Sequence, residues 1–340
     1  MQAPVTIRDV ARLAEVHPGT VSRALNPQTR NLVNAATAER VLAAADQLGY
    51  RPNSMARGLK TNRSLTIGVL IPDLTNPLFP PIVRGIDDRL TIDGYTPLLV
   101  NTGSDPERER SSIEAMLARQ VDGFIAATAQ LDVEPLAVAT ARGLPVVLVN
   151  RTFEDGSMSA CTVDDRRGSE LAVEHMVGLG HERIGYVAGP QNVSTGHRRY
   201  LGFTQAMAAA GLEIPAGRVS YADAFTEEAG ARACAEVLGA DPEVTAIITA
   251  NDRLAIGCYD TLLELDRSCP DDVSIVGFND MMFIDRLRPP LSSVRVPQRE
   301  LGFAAADLLL EQLTGGSMPA REVMLEPALI VRGSTAPPRA

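Results

Sequence analysis

Asparagine, aspartate and arginine side chains recur directly after apolar segments in the part of the chain beyond residue 64. A single residue of these types more often caps a loop or a helix. Together, however, their planar amide, carboxylate and guanidinium groups can each hydrogen-bond two neighbouring hydroxyls of one ligand. Phe79 and Phe225 lie near them in sequence and could cover the apolar face of such a ligand. The polar residues are Asp73, Asn76, Asn101, Asn150, Arg151, Asp164, Asp165, Asn251, Asp252, Asn279 and Asp280. This set predicts a binding site for a polyol.

Side chains suited to catalysis or to metal binding lack the spacing that either task needs. The sequence has no GxSxG elbow, no GxxxxGK[ST] loop, no HExxH motif and no GxGxxG segment after a strand. The four cysteines form no CxxC pair and have no histidine at ligand spacing, so buried free thiols are expected. We therefore expect no enzyme activity, no cofactor and no metal site. The dispersed histidines are His17, His175, His181 and His197, and the cysteines are Cys161, Cys234, Cys258 and Cys269.

The segments that position the polar residues alternate between short apolar runs and amphipathic stretches. A helix is predicted over residues 79–90, for example, because its apolar residues recur at helical spacing. This alternation predicts a parallel, doubly wound α/β body, in which ligands bind at the carboxyl ends of the strands. Strands are predicted at 65–71, 96–100, 123–127, 146–149, 184–188, 246–249 and 273–276.

The first fifty residues have a different pattern, which predicts three short helices. Thr6 and Asp9 have the spacing of a capping box, and Pro18 favours the first position of a second helix. A third helix is predicted from its cap at Asn34 to a stop at Gly49. Helices this short enclose a small core, so the pattern alone fits a helical cap or an oligomerisation arm as well as a DNA-binding domain.

Charge is divided unevenly along the 340 residues, whose net charge is −10. Residues 1–63 contain nine basic and four acidic side chains, a balance of +5, which leaves −15 for the remainder. Hydrophobic residues make up 45% and charged residues 22%, as in a folded globular protein. A basic head on an acidic body favours a nucleic-acid-binding domain joined to a separate domain. A single arginine is weak evidence here, because Lys60 is the only lysine.

Several segments carry a specific resemblance to one family. The head reads Val5-Thr6-Ile7-Arg8-Asp9-Val10-Ala11 and then Val16-His17-Pro18-Gly19-Thr20-Val21-Ser22-Arg23-Ala24-Leu25-Asn26, which resembles the helix-turn-helix signature of the lactose repressor/galactose repressor family. The body segments Ile71-Pro72-Asp73-Leu74-Thr75-Asn76-Pro77-Leu78-Phe79, Thr249-Ala250-Asn251-Asp252 and Val276-Gly277-Phe278-Asn279-Asp280 are similar to the effector domain of that family. The resemblance implies a small all-α helix-turn-helix head and a two-lobed α/β body with parallel sheets, similar to periplasmic sugar-binding proteins.

For the head, the resemblance implies that the second helix enters the major groove of operator DNA. Arg23 would reach a base or a phosphate, and Thr20 and Ser22 would hold the backbone of one strand. The sequence departs from the lactose repressor at Pro18 and Gly19, which replace long base-reading side chains, and at the cap, where a histidine replaces the usual serine. Readout is therefore expected to depend more on DNA shape. The candidate DNA contacts are Thr6, His17, Pro18, Thr20, Ser22, Arg23 and Asn26.

Residues 51–64 are too short and too polar for a stable isolated helix, and their pattern alone is that of a plain linker. The spacing Asn-x-x-Ala-x-x-Leu, however, is similar to the hinge helix of the family. That similarity implies two hinge helices of a dimer in the minor groove, with Leu59 wedged between base pairs. The hinge candidates are Asn53, Ala56, Arg57, Leu59 and Lys60.

For the body, the resemblance implies two lobes joined by three crossovers, with the effector in the cleft and clamped by Arg199. The N-lobe would comprise residues 65–162 and 294–325, and the C-lobe residues 163–293 and 326–340. Asn279 replaces an aspartate common in the family, and Asn150 replaces one found in some members. A cleft with fewer carboxylates is compatible with a sugar acid or a phosphate as the ligand, as well as with a neutral sugar. The candidate effector contacts are Asn76, Leu78, Phe79, Asn150, Arg199, Phe225, Asn251 and Asn279.

Together these features predict a ligand-responsive transcription regulator, with a DNA-binding domain over 1–50, a hinge over 51–64 and an effector domain over 65–340. A transport receptor would need an export signal, which Met1 to Ile7 do not resemble, so a cytoplasmic location is expected. The sequence has no leucine heptads for a tetramerising coil, which favours a homodimer. The expected partners are double-stranded operator DNA and a sugar-like effector. Whether the effector releases the DNA or promotes binding stays open.

Overall fold

The computed structural model describes residues 5–26, 29–51, 63–128, 134–315 and 319–339. The chain divides into two units, residues 1–64 and residues 65–340. Within the described ranges the first unit is helical and all strands lie in the second.

The helices of the first unit begin and end at the capping residues that the sequence predicts. The backbone N–H of Thr6 donates to Asp9 Oδ2 at 3.0 Å, and Asn34 Oδ1 accepts from the N–H of Ala36 at 3.0 Å. Gly49 follows the third helix with a φ of 63°, a left-handed conformation that glycine adopts at little cost. The elements are α1 (Ile7–Leu13), α2 (Pro18–Leu25), a 3-10 turn (Arg30–Leu32) and α3 (Ala35–Gln47).

Valine and alanine side chains fill the core of the first unit. Val10, Val21 and Val41 come from the three helices in turn, and each is completely buried. Alanines surround them, and their small size lets three short helices approach one another closely. Since α2 turns Val21 and Ala24 into this core, its polar side chains lie on the opposite, solvent-facing side.

The second unit contains two six-stranded sheets. The first sheet has the strand order β11-β5-β4-β3-β1-β2 and is parallel throughout. The second has the order β12-β10-β9-β8-β6-β7, and only β12 runs antiparallel to its neighbour. The strands are β1 (Thr66–Ile71), β2 (Thr96–Asn101), β3 (Gly123–Ala126), β4 (Val146–Val149), β5 (Ser159–Val163), β6 (Ile184–Ala188), β7 (Val219–Tyr221), β8 (Ala246–Thr249), β9 (Ser274–Asn279), β10 (Ser292–Arg295), β11 (Glu322–Leu325) and β12 (Ala328–Ile330).

Helices cover both sheets, so each sheet with its helices forms one lobe. The predicted doubly wound body is therefore confirmed, and all seven strands named from the sequence are present within a few residues of their predicted bounds. The helices are α4 (Phe79–Ile92), α5 (Pro106–Ala118), α6 (Glu134–Ala141), α7 (Asp165–Gly178), α8 (Ser194–Ala209), α9 (Glu227–Ala240), α10 (Asp252–Glu264) and α11 (Gln298–Gly315).

The chain passes between the lobes three times. The crossings lie between β5 and α7, between β10 and α11, and between β11 and β12. After the second crossing, α11 returns to the first lobe and packs against α4. The backbones of the two helices lie in direct contact at Gly302. A Cβ added there would lie only 1.9 Å from the carbonyl oxygen of Ile82. Only glycine fits at this contact, which fixes α11 in the first lobe.

Candidate functional site

One small cavity of about 20 Å³ lies between the two lobes of the second unit. All eight residues that the sequence proposed as effector contacts line this cavity, together with Arg151 and Thr195. They come from the loop after β1 and the start of α4, the end of β4, the start of α8, the loop before α9, and the ends of β8 and β9. The carboxyl ends of parallel strands meet here, which is the usual place for a ligand in such sheets. The lining residues are Asn76, Leu78, Phe79, Asn150, Arg151, Thr195, Arg199, Phe225, Asn251 and Asn279.

The four asparagines of the cavity fall into two pairs. Asn76 Oδ1 accepts from the N–H of Leu78 at 3.1 Å, and Asn251 Oδ1 accepts from the N–H of Leu254 at 2.8 Å. Their carbonyl oxygens hold the local backbone, which leaves the Nδ2 groups for a ligand. Asn150 and Asn279 differ, since the Oδ1 atom of each is buried and has no hydrogen-bond partner among the described residues.

The backbone explains why Asn150 and Asn279 point into the cavity. They have φ values of 67° and 115°, in the left-handed region that few residues other than glycine and asparagine adopt readily. Asn150 directly follows β4 and Asn279 is the last residue of β9, so both lie at carboxyl ends of strands. Strained backbone with unpartnered buried oxygens is costly, and such strain concentrates at binding sites. These two amides are therefore placed to accept hydrogen bonds from a ligand.

Arg199 is held on three sides. Its Nε donates to Asp165 Oδ1 at 2.7 Å, its Nη1 donates to the carbonyl oxygen of Ala250 at 2.7 Å, and its guanidinium carbon lies 3.8 Å from the centre of the Phe278 ring. The Nη2 group makes no hydrogen bond to any described residue. Burial raises the pKa of Asp165, and the charge of Arg199 opposes that rise. The arginine is thus a rigid group with one edge left for a ligand.

Asp252 braces the wall behind the cavity. This completely buried carboxylate accepts from Ser293 Oγ at 2.5 Å and from the N–H of Met281 at 2.8 Å. A Cβ on Gly277 would lie 2.2 Å from Asp252 Oδ1, so the carboxylate packs directly on the backbone of β9. Burial raises the pKa of Asp252 to about 7. The group ties α10 to β9 and β10 and so fixes the turn at Asn279.

Arg151 and Thr195 are the two lining residues that the sequence analysis did not choose. Arg151 was counted among the polar residues at strand ends, and its place directly after Asn150 was the signal available. Thr195 lies in the first turn of α8, where a hydroxyl gives no signal of its own. Burial lowers the pKa of Arg151 to about 10, and its Nε has no hydrogen-bond partner among the described residues.

Two ion-pair groups cross the cleft outside the cavity. Arg253 of the C-lobe contacts Asp73 of the N-lobe at 3.2 Å, while its other nitrogen contacts Glu227 at 2.6 Å. Arg198 of α8 contacts Glu154 at 3.0 Å and Glu322 of β11 at 2.9 Å. Asp73 and Arg253 line a wider outer cavity of about 300 Å³. These pairs hold the lobes together around the inner cavity.

The polar face of α2 carries the DNA contacts proposed from the sequence. His17, Ser22 and Arg23 are exposed, and Pro18 and Thr20 are half-buried. His17 Nδ1 accepts from the N–H of Gly19 at 3.0 Å, so it caps α2 as the usual serine would. With Nδ1 used as an acceptor, a neutral imidazole carries its proton on Nε2 and presents a donor to solvent. Two further candidates, Thr6 and Asn26, are exposed and half-buried respectively.

Comparisons with known proteins find relatives of both units of the chain. A model of bacterial regulatory proteins of the lacI family matches residues 6–53, and a model of the periplasmic binding protein-like domain matches residues 173–335. The ribose operon repressor of Escherichia coli is 32% identical over 331 residues, which cover 97% of this chain and 99% of that protein. The chain belongs to the lacI family. It is therefore a transcription regulator and not an enzyme.

Other members of the lacI family extend the likeness over the whole chain. The regulator RegA of Clostridium saccharobutylicum is 34% identical over 97% of this chain and 99% of its own. A lac repressor dimer bound to operator and an anti-inducer has a TM-score of 0.86 at 28% identity, covering 98% and 100% of the two chains. The regulator CelR in complex with cellobiose has a TM-score of 0.75 at 31% identity, covering 97% and 99%.

The hinge candidates Asn53, Ala56, Arg57, Leu59 and Lys60 lie outside the described residues, so the hinge helix stays a prediction. All four cysteines are free thiols, and three of them are buried. In the described ranges, no cluster of three or more ligating side chains could hold a metal ion, and no helix has the length and apolarity to cross a bilayer.

Proposed function

We propose that this lacI-family regulator binds a palindromic operator as a homodimer, and that a sugar or sugar derivative in the cleft changes its affinity for that DNA. The proposal depends on the single cavity lined by all eight residues chosen from the sequence. Relatives named for ribose and cellobiose support the sugar class, and the lac repressor dimer on its operator supports the assembly. The chain would act in the cytoplasm, where its DNA lies.

Each part of the cavity has a role in this proposal. Arg199 donates to the ligand through Nη2, and Asn150 and Asn279 accept from ligand hydroxyls. Phe79 and Phe225 cover the apolar face of the ring. The remaining contacts are Asn76, Leu78 and Asn251, of which the two asparagines donate through Nδ2.

The DNA-binding part of the proposal comprises residues 1–50 and the hinge over 51–64, and the effector domain covers 65–340. On the operator, α2 lies in the major groove with Arg23, Thr20 and His17 nearest to the bases. The hinge of each protomer pairs with that of its partner in the minor groove, where Leu59 is the wedge.

Selection of binding sites from random duplexes by the full chain tests the DNA half of the proposal. The expected result is a sequence with two-fold symmetry, bound more weakly by Arg23→Ala than by the native protein. A fragment of residues 65–340 serves as the control and should bind no operator while keeping its ligand. Selected sites without symmetry would contradict the dimer, and operator binding by the fragment at moderate salt would mean that the DNA site lies elsewhere.

A thermal-shift screen of sugars, sugar acids and purines tests the ligand half. Compounds that raise the melting temperature are then titrated against the protein bound to its selected operator. We expect a sugar or sugar derivative to stabilise the protein and to change operator affinity. A purine that does both, with no response to sugars, would refute the proposed ligand class.

A further inference from the structure

Arg151 is a buried cation that forms no ion pair with any described residue, and it lines both the inner and the outer cavity. The residue is 8% exposed, and its Nε has no hydrogen-bond partner within the described part of the chain. It lies at the end of β4, next to Asn150, whose Oδ1 also lacks a described partner. We infer that the cleft is built for an anionic polyol, and that Arg151 binds its carboxylate or phosphate. This inference depends on the proposed function of the same cavity.

Among the charged residues that line the inner cavity, Arg151 is the one without an ion pair to a described residue. The ten residues that line the inner cavity include two arginines and no carboxylate. Arg199 is already neutralised by Asp165, with 2.7 Å between Nε and Oδ1. A buried ion without a counter-charge destabilises a protein strongly unless a bound group supplies the opposite charge. A ligand with a negative group would supply it, and a neutral sugar would not.

Glu109 is the rival partner for Arg151. It attracts Arg151 electrostatically, but no ion pair between the two is present in the described structure. Glu109 accepts instead from Thr128 Oγ1 at 2.5 Å, and burial raises the pKa of this carboxyl. Neither Glu109 nor Thr128 lines either cavity. The carboxylate therefore lies behind Arg151, while the arginine faces the ligand space.

The hydrogen-bonding groups agree with a ligand that has both hydroxyls and an acid. Asn150 Oδ1 and Asn279 Oδ1 need donors, which hydroxyl groups supply. Arg151 is a pure donor, whose planar fork matches the two oxygens of a carboxylate or a phosphate. Because Arg151 also lines the outer cavity of about 300 Å³, the acidic group lies on the outer side of the ligand. A sugar acid and a sugar phosphate both meet these requirements.

Calorimetry with matched probes tests the inference on the full chain. The probes are two sets of three, namely ribose, ribonate and ribose 5-phosphate, and glucose, gluconate and glucose 6-phosphate. We expect one acidic probe to bind at least about tenfold more tightly than its neutral partner, since hydrogen bonds to a charged group are worth that much. The carboxylate and phosphate arms then separate the two sources of charge.

The variant Arg151→Gln should remove this preference by lowering the affinity for the acidic probe to that for the neutral one. Arg151→Lys keeps the charge but not the fork, so it should retain part of the preference, and it remains informative if the glutamine variant folds poorly. Glu109→Gln is the matched control and should leave the preference in place. A preference that survives in Arg151→Gln, or that is lost in Glu109→Gln, would overturn the assignment.

The two proposals fail in different ways. A neutral sugar that binds at least as tightly as its acids and changes operator affinity would uphold the proposed function and refute the anionic ligand. If no probe of any charge binds and a compound of another class changes operator affinity, both the sugar class and the anionic polyol are refuted.

Discussion

Replacing Arg199 by alanine should abolish ligand binding and also destabilise the effector domain. The side chains of Arg199 and Asp165 are each 2% exposed, and their ion pair is 2.7 Å long. Removing one partner of a buried pair leaves the other charge uncompensated, which costs about 3–5 kcal/mol. In a domain of this size, such a loss lowers the melting temperature by roughly 10 °C.

The assay combines thermal unfolding with calorimetry on the ligand found in the screen and with operator binding. A double variant, Arg199→Met with Asp165→Leu, replaces both charges by apolar groups of similar volume. It should recover most of the lost stability, because buried pairs tolerate joint replacement, and it should still bind no ligand. Operator binding without ligand should be kept by both variants below their melting temperatures.

A pH series separates the charge effect from lost packing. Burial raises the pKa of Asp165 and Arg199 opposes that rise, so the pKa rises further when the arginine is removed. The free energy of unfolding that Arg199→Ala removes should therefore become smaller as pH falls, because the buried carboxyl of Asp165 becomes neutral. An unchanged melting temperature in Arg199→Ala would contradict the buried pair. A double variant that binds ligand with native affinity would refute the role of Arg199 as the clamp.

Three further predictions concern the cleft, its wall and the hinge. Asp73→Asn removes the ion pair with Arg253 across the cleft. This pair is half-exposed and is worth about 0.2–1 kcal/mol, so ligand affinity should fall by up to about fivefold at low salt. At high salt, where the charges are screened, the affinity should hardly change. Asp241→Asn, which breaks the pair with Arg218 within one lobe and away from both cavities, is the control, and an equal loss of ligand affinity there would exclude a closing role for Asp73. Burial raises the pKa of Asp252 from 3.8 to about 7, so the free energy of unfolding of the native protein should fall as pH rises through that range. Asp252→Asn should flatten this dependence on pH. Equal slopes of unfolding free energy against pH in the native protein and the variant would disprove the prediction. Leu59→Ala should weaken operator binding and DNA bending while binding to scrambled DNA stays constant, and equal losses on both DNAs would mean that Leu59 is no wedge.

The parallel body could be predicted because its central strands are short apolar runs bounded by turn residues. β5 was missed, since Ser159–Val163 consists of small and partly polar residues that lack the signal of a buried strand. The short strands β7, β10, β11 and β12 were missed as well. Of these, β11 and β12 are strands only because β5 and β10 offer them an edge, and that edge depends on tertiary structure.

The site could be predicted as a set of residues but not as a distribution of roles. All four asparagines share one signal, yet two of them cap the backbone and two present free oxygens. The difference lies in the left-handed φ values of Asn150 and Asn279, which their sequence positions do not specify. The pairing of Arg199 with Asp165 and the isolation of Arg151 likewise depend on the packing of distant segments.

The three crossings between the lobes have a consequence for synthesis of the chain on the ribosome. The edge strand β11 pairs with β5, and Glu322 lies opposite Ala160. The first lobe therefore cannot complete its sheet until about 160 further residues have been translated, and the edge of β5 remains open meanwhile. By then the strands of the second lobe up to β10 have also been made. The lobes are thus expected to reach their native structure as one cooperative unit, so that damage to either lobe lowers the yield of both.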